Sequence, residues 1–324
     1  MTSDAPDLDK LKRILILGPG VMGAGTAVAC ARAGFQVDIW GRSDESLERG
    51  ARRVKKSIGT VSEMLGLTEE EVPLIAARIG YSTNLAEAAE GCDFVLESVA
   101  EDLALKCELL GIVDAAAPQH AILATQTSGL SVTELGRATA RPGLALGTHF
   151  WNPPELMPLV EVVKGSETTE ETLGRTRALI RRIGKVPVTV HKDVPGFIGN
   201  RMLHALWREA ITIVERGIAD PEDVDTVAKL TFGLRSPAIG PLENMDLVGL
   251  DLILSIHRYL LPELEHSEAP NRLLVDSVTN GDLGFKTEKG FYDWSHRDSA
   301  KVEAARNEEI ARQLRRLQQT KVIP

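Results

Sequence analysis

The chain has 324 residues, enough for about two domains at the usual size of ~150 residues each. Apolar residues make up 43% and charged residues 26%, and no uncharged apolar run reaches the roughly 18 residues of a membrane span, which excludes a disordered or membrane-crossing chain. The 46 acidic against 37 basic side chains leave a net charge of −9, which argues against binding along a nucleic acid backbone but not against one local basic patch for a phosphorylated ligand.

The first ten residues, MTSDAPDLDK, carry three aspartates and no apolar run, so they lack the parts of a secretory signal and a cytoplasmic location is expected. Cys30, Cys92 and Cys107 are odd in number and form no C-x-x-C pair, which disfavours a disulfide framework and a thiolate metal site and suits reduced, mostly buried thiols.

Arg13 to Leu17 (RILIL) reads as a strand running into Gly18, with a small-residue helix, Ala24 to Ala33, behind it. FQVDIW, DFVLESV, AILATQT, LALGTHFW and LVEVV follow as apolar runs separated by helical patterns, which predicts an α/β architecture with a parallel, doubly wound sheet. From Phe197 onward the period is helical, in FIGNRMLHALWREAITIVERG, PEDVDTVAKLTFG and ENMDLVGLDLILSIHRYLLPEL, with Gly217 and Pro221 marking helix ends. We therefore expect a sheet domain over 1–193, a smaller all-helical domain over 194–298, and a tail over 299–324 whose Ala, Glu, Arg and Gln content suits an exposed amphipathic helix.

Gly18-Pro19-Gly20-Val21-Met22-Gly23 is a G-x-G-x-x-G between a strand and a helix, the Rossmann-like fingerprint for a dinucleotide. Its glycines permit a tight turn and close approach of backbone to a pyrophosphate, and the helix N-terminus supplies N–H donors, so the implied cofactor is NAD(P). The second strand ends at Trp40-Gly41-Arg42-Ser43, without the carboxylate that usually holds the adenine ribose of NAD. Arg42 and Ser43 offer donors that suit a 2′-phosphate, so NADP(H) is expected over NAD(H); the plainer reading has Arg42 stacking on adenine or lying in solvent.

Glu161 is a lone carboxylate in the apolar strand LVEVV, and the nearest plausible partner in the fold is His149 at the end of the preceding strand. A histidine backed by a carboxylate is a general base of fixed tautomer. Isolated histidines are more often structural, and on the residues alone that reading stays open.

The motifs GPGVMG, LESVAEDLALKCEL, TQTSGL, HFWNPPELMPLVEVV and DVPGFIGNR, in this order and approximate spacing, make the chain resemble the 3-hydroxyacyl-CoA dehydrogenase family from Arg13 to about Trp294. The resemblance implies an NAD(P)-dependent dehydrogenase that interconverts a 3-hydroxyacyl group and its 3-oxo form. It implies His149 as base, Glu161 as its orienting carboxylate, Ser128 as a hydroxyl on the reacting oxygen and Asn200 as a donor near the substrate carbonyl. It places Glu101 and Lys106 at the nicotinamide half of the cofactor, the active site between the two domains, and a homodimer through the helical domain. For Ser128 and Asn200 the competing roles are helix capping and helix initiation.

Two features depart from the acyl-CoA pattern. Phe232 to Pro241 (FGLRSPAIGP) is longer than the usual turn and is similar to the branch of lambda-crystallin-like L-gulonate and L-carnitine dehydrogenases, while the His-x-x-Asn-Pro-Pro motif at His149 and the DVPGFIGNR region resemble dehydrogenases of vitamin B6 breakdown. A free hydroxy acid or non-CoA alcohol is thus the alternative substrate, with Arg235 as a candidate carboxylate clamp or a plain surface ion-pair residue; a silent crystallin-like protein is the remaining rival. The cluster Arg52-Arg53-Lys55-Lys56 suits either a CoA phosphate or a solvated helix face.

Overall fold

The computed structural model describes residues 11–320; the acidic amino terminus on which the expected location rests lies outside them. The chain forms two compact units, one of residues up to Asn200 together with those from Asn307 onward, the other Arg201–Arg306.

In the first unit eight strands make one sheet: β1 (Arg13–Leu17), β2 (Gln36–Trp40), β3 (Ile79–Ser82), β4 (Phe94–Glu97), β5 (Ile122–Thr125), β6 (Ala145–Phe150), β7 (Leu159–Val163) and β8 (Val186–Val190). Their order is β3-β2-β1-β4-β5-β6-β7-β8, doubly wound about β1. The connecting helices are α1 (Val21–Arg32), α2 (Asp44–Leu65), α3 (Glu71–Ala77), α4 (Leu85–Ala89), α5 (Leu103–Ala116), α6 (Val132–Arg137) and α7 (Glu170–Arg182).

Strand side chains alternate between the two faces. Ile14 and Ile16 of β1 enter a core shared with α1, α2 and α7, whereas Leu15 and Leu17 enter a second core with α4 and α5. Both faces are therefore covered, which is why these strands read as continuous apolar runs.

The sheet is not wholly parallel, contrary to the sequence expectation. β7 runs antiparallel to β6, and only β7 and β8 resume parallel pairing. The physical reason lies between the strands: residues 151–158 contain no helix to carry the chain back across the sheet, so it returns as a hairpin. β3 was also not anticipated, because IGYS is too short and mixed to show a period.

The second unit contains most of α8 (Gly199–Glu215), then α9 (Pro221–Leu230), α10 (Phe232–Arg235), α11 (Pro241–Val248), α12 (Leu250–Leu260), α13 (Arg272–Thr279) and the start of α14 (Ser299–Gln319). The third helical pattern of the sequence is split in two by Gly249, whose φ of 106° breaks the helix. Within this unit Asn271 Nδ2 donates to Thr212 Oγ1 at 2.8 Å and the Leu273 N–H to Glu215 Oε1 at 2.9 Å, so polar residues of α8 pin the segment leading into α13. The end of α14 is mostly exposed, yet it buries Ala311 and Leu314 in the first unit, where Arg315 donates to the Met64 carbonyl near the end of α2. Among the described residues no helix is long and apolar enough to cross a membrane.

Candidate active site

The β6–β7 hairpin sets His149 directly opposite Glu161. Side chains of such a pair lie on the same face of the sheet, about 4.5–5.5 Å apart at Cβ, so strand register alone brings imidazole and carboxylate together. His149 Nδ1 lies 2.7 Å from Glu161 Oε2, and both residues are buried. The other carboxylate oxygen accepts from the backbone N–H groups of Ile198 at 2.9 Å and Gly199 at 3.0 Å, at the start of α8. Burial raises the Glu161 carboxyl, but these hydrogen bonds and the imidazole outweigh it and hold the group below its ordinary range. An ionised carboxylate only accepts, so Nδ1 is the donor in this contact, and in a neutral ring Nε2 is the nitrogen with the lone pair.

Phe197 makes this arrangement possible. Its φ of 48° is left-handed, a cost of about 1–3 kcal/mol for a bulky residue, and it turns the chain so that the next two N–H groups reach Glu161. Its buried ring lies 5.7 Å from the His149 ring, and Trp151 lies 5.3 Å away on another side. Sequence reasoning did not single out Phe197; the glycine before it hinted at a turn, not at a strained aromatic.

Ser128 is exposed in the loop after β5, and Asn200 Nδ2 donates to its carbonyl at 3.4 Å, so these two candidates are brought together. Glu101 anchors the same loop, accepting from Thr127 Oγ1 at 2.5 Å and the Ser128 N–H at 2.9 Å. Burial pushes the Glu101 carboxyl up, but those bonds and the Lys106 charge hold it below its ordinary range. Lys106 turns inward: its ammonium donates to Glu97 Oε1 at 2.7 Å and Oε2 at 2.9 Å, and lies 3.3 Å from Glu101. Glu97, fully buried at the end of β4, also accepts from Thr125 Oγ1 at 2.6 Å and the Val99 N–H at 2.8 Å. Glu97 was missed because a single glutamate ending an apolar strand carries no pattern; a lysine nine residues on was its only signal.

Gly18 has a φ of 104°, and a Cβ there would lie 2.8 Å from the Ser98 carbonyl oxygen. A Cβ at Gly23 would lie 2.0 Å from Gly18 O, so the third glycine is needed for the turn to close against α1. At Gly20 the space is open, and no side chain caps α1, which leaves its first N–H groups facing that space. Val21 is exposed, while Met22 packs against the core. The cradle fits a pyrophosphate, and Arg53 braces it by donating to the Pro19 carbonyl at 3.1 Å. Arg42 is exposed beyond β2. Ser43 caps α2, its Oγ accepting from the Ser46 N–H at 3.3 Å while its own proton remains a donor. In the second unit Arg235 closes the short helix α10 and is exposed.

The family model for the NAD binding domain of 3-hydroxyacyl-CoA dehydrogenase matches residues 13–194, and that for the C-terminal domain matches residues 196–294. The chain belongs to the 3-hydroxyacyl-CoA dehydrogenase family. It is an NAD(P)-dependent dehydrogenase acting on a hydroxyl group. A family relative, the probable 3-hydroxybutyryl-CoA dehydrogenase of Bacillus subtilis (strain 168), is 42% identical over 90% of this chain and 100% of its own length. The structure of (S)-3-hydroxybutyryl-CoA dehydrogenase from Ralstonia eutropha superposes with a TM-score of 0.73 at 35% identity, covering 88% of this chain and 99% of the other. That of 5-formyl-3-hydroxy-2-methylpyridine 4-carboxylic acid 5-dehydrogenase, an NAD+-dependent dismutase, superposes with a TM-score of 0.88 at 32% identity, covering 95% and 99%.

Proposed function

We propose that this 3-hydroxyacyl dehydrogenase uses His149 as its general base with Glu161 behind it. The carrying observation is the buried 2.7 Å contact between them, which leaves Nε2 as the proton acceptor. Bound NAD(P) supplies the acceptor for hydride from the carbinol carbon. His149 Nε2 takes the hydroxyl proton, Glu161 stabilises the resulting imidazolium, and Ser128 Oγ and Asn200 Nδ2 donate to the oxygen on which charge develops. Glu101, held by Lys106 and through it by Glu97, fixes the backbone at Ser128. Gly18, Gly20, Val21, Met22 and Gly23 receive the pyrophosphate. Arg42 and Ser43 take a 2′-phosphate, so NADP(H) is preferred. A panel of 3-hydroxyacyl-CoA thioesters and free hydroxy acids, each assayed with NAD+ and NADP+, tests the whole reading; silence toward every member defeats it.

The preferred substrate is a 3-hydroxyacyl-CoA, as the names of the relatives suggest. The free-acid alternative draws on one observation: the pyridine 4-carboxylic acid dehydrogenase superposes with the higher TM-score and over more of the chain. Under that reading Arg235 grips the carboxylate through two parallel hydrogen bonds, and Arg235→Ala selectively weakens turnover of free acids by about 2–5 kcal/mol in kcat/KM.

Two copies pair through the helical unit. Among the described residues of that unit Thr212 alone is buried, while Leu230 and Leu250 are 67% and 62% exposed. It also carries an open cavity of about 970 Å³ lined in part by Trp207, Ile211, Val214, Leu274 and Phe291. A patch of this extent is the mark of a protein interface. A monomer by static light scattering at micromolar concentration overturns this. A cytoplasmic location accords with three cysteines that form no disulfide.

A further inference from the structure

Lys185, just before β8, is 3% exposed, and among the described residues no carboxylate lies within ion-pair distance of it. A buried ammonium not paired with a carboxylate at contact distance costs folding free energy, which calls for a use. Its Nζ donates to the Met157 carbonyl at 2.7 Å. Met157 is the last residue but one of the loop that joins the His149 strand to the Glu161 strand, and Pro158, its last, is held too, since the Val186 N–H donates to the Pro158 carbonyl at 2.8 Å. β7 starts at Leu159, paired with Val186, and Glu161 follows two residues later opposite Val188.

We propose that Lys185 is a positioning residue for the catalytic dyad: its charged hydrogen bond to the loop fixes where β7 begins, and hence where Glu161 meets His149. This rests on the proposed roles of His149 and Glu161. A charge-assisted hydrogen bond is roughly twice as strong as a neutral one, so loss of the proton loosens the clamp without abolishing it.

The groups facing the ammonium are Cys30 and Arg32 on α1 and Glu155 on the loop itself. Burial first, and Arg32 in addition, bring Lys185 down to about 8, against the opposing pull of Cys30 and Glu155. Burial also pushes the Cys30 thiol up to about 12, so Lys185 is the member of that pair that titrates near neutrality. Above pH 8 the folded protein has shed a proton that the unfolded chain, with an ordinary lysine near 10.4, still holds. This contribution to stability therefore rises with pH while the clamp weakens. Activity and stability diverge, whereas a lysine serving the fold alone would move stability only.

The test uses Lys185→Met and Lys185→Arg in the full-length protein, with 3-hydroxybutyryl-CoA and NAD+ as probe and the downfield His149 Nδ1 proton followed by NMR. The expected result is a Lys185→Met protein with unchanged or raised Tm, kcat lower by about 10- to 100-fold, unchanged affinity for NAD+, and no alkaline fall in kcat near pH 8. Lys185→Arg recovers part of kcat. Wild-type kcat with the wild-type alkaline limb in Lys185→Met overturns the proposal, as does a loss of kcat matched by an equal loss of folded protein. Should Lys185→Met not fold, or the probe not turn over, the wild-type NMR titration decides: a His149 signal that does not move between about pH 7 and 9 overturns the proposal, and one that moves with the titration of Lys185 supports it. His149→Ala run alongside separates the two readings. An active His149→Ala defeats the dyad itself, whereas an inactive His149→Ala beside a fully active Lys185→Met defeats the Lys185 assignment alone.

Discussion

The sheet-bearing unit and the helical unit treat the same kinds of residue in opposite ways. In the first, Ile14, Ile16, Phe94, Leu96 and Ile122 are fully or almost fully buried, and even polar groups such as Glu97 and Thr125 are enclosed and hydrogen-bonded. In the second, no apolar side chain among the described residues is buried. A unit that leaves its leucines in water has not finished burying the surface that stabilises a fold, so its stability should depend on what covers it. The chemistry, by contrast, needs groups held within tenths of an ångström, and the candidate base sits in the unit that is closed on itself.

The largest test of that contrast is His149→Ala. If the base belongs to the closed unit alone, kcat falls by about 10²- to 10⁴-fold while cofactor affinity and association state, read by fluorescence titration and light scattering, stay as in the wild type. Next comes a paired comparison of leucines. Leu96→Ala should cost about 2–5 kcal/mol whatever the protein concentration, since its contacts are internal. Leu254→Asp should instead shift the protein toward monomer in light scattering and remove the concentration dependence of Tm. A Leu254→Asp protein that stays dimeric, with Tm still dependent on concentration, would remove the distinction between the units.

A smaller effect is expected at the nucleotide turn. Arg42→Ala should move the ratio of NADP+ to NAD+ efficiency toward NAD+ about tenfold, near 1.4 kcal/mol. It is a cleaner probe than Gly41→Asp, because a Cβ at Gly41 would lie 2.7 Å from both Leu47 Cδ2 and Ser46 Oγ. Smallest is the acid response. Glu161 is held below its ordinary range, so its contribution to stability is present above the unfolded carboxyl value and is lost as pH falls through the folded one. Glu161→Gln should flatten the acid side of the stability curve measured by denaturant unfolding; an unchanged curve would mean that the carboxylate adds nothing to folding.

The glycine loop and the strands around it were legible because each rests on residue type at short spacing, whereas the pairing of His149 with Glu161 stayed open on the residues alone and came from the family motifs. The hairpin that joins that pair was harder to see, since parallel and antiparallel buried strands are both continuous apolar runs. Arg53 was readable only as part of a basic cluster, and its bond to Pro19 depends on α2 crossing the glycine loop. Lys106 read as a cofactor contact because its position matches a motif; its inward turn depends on Glu97, which no motif marked. The apolar helices of the second unit were legible as a surface to be covered, but an amphipathic pattern does not say by what, and the expectation of a second copy came from the family resemblance.

Position 197 carries two demands that pull in opposite directions. Its backbone conformation favours glycine or asparagine, whereas its place beside the His149 ring requires a large apolar surface. Selection for thermal robustness alone would therefore drift toward glycine there and strip the candidate base of its wall, while selection for turnover alone would retain a residue that the fold would discard. A library screened on both traits should find this position closed to change.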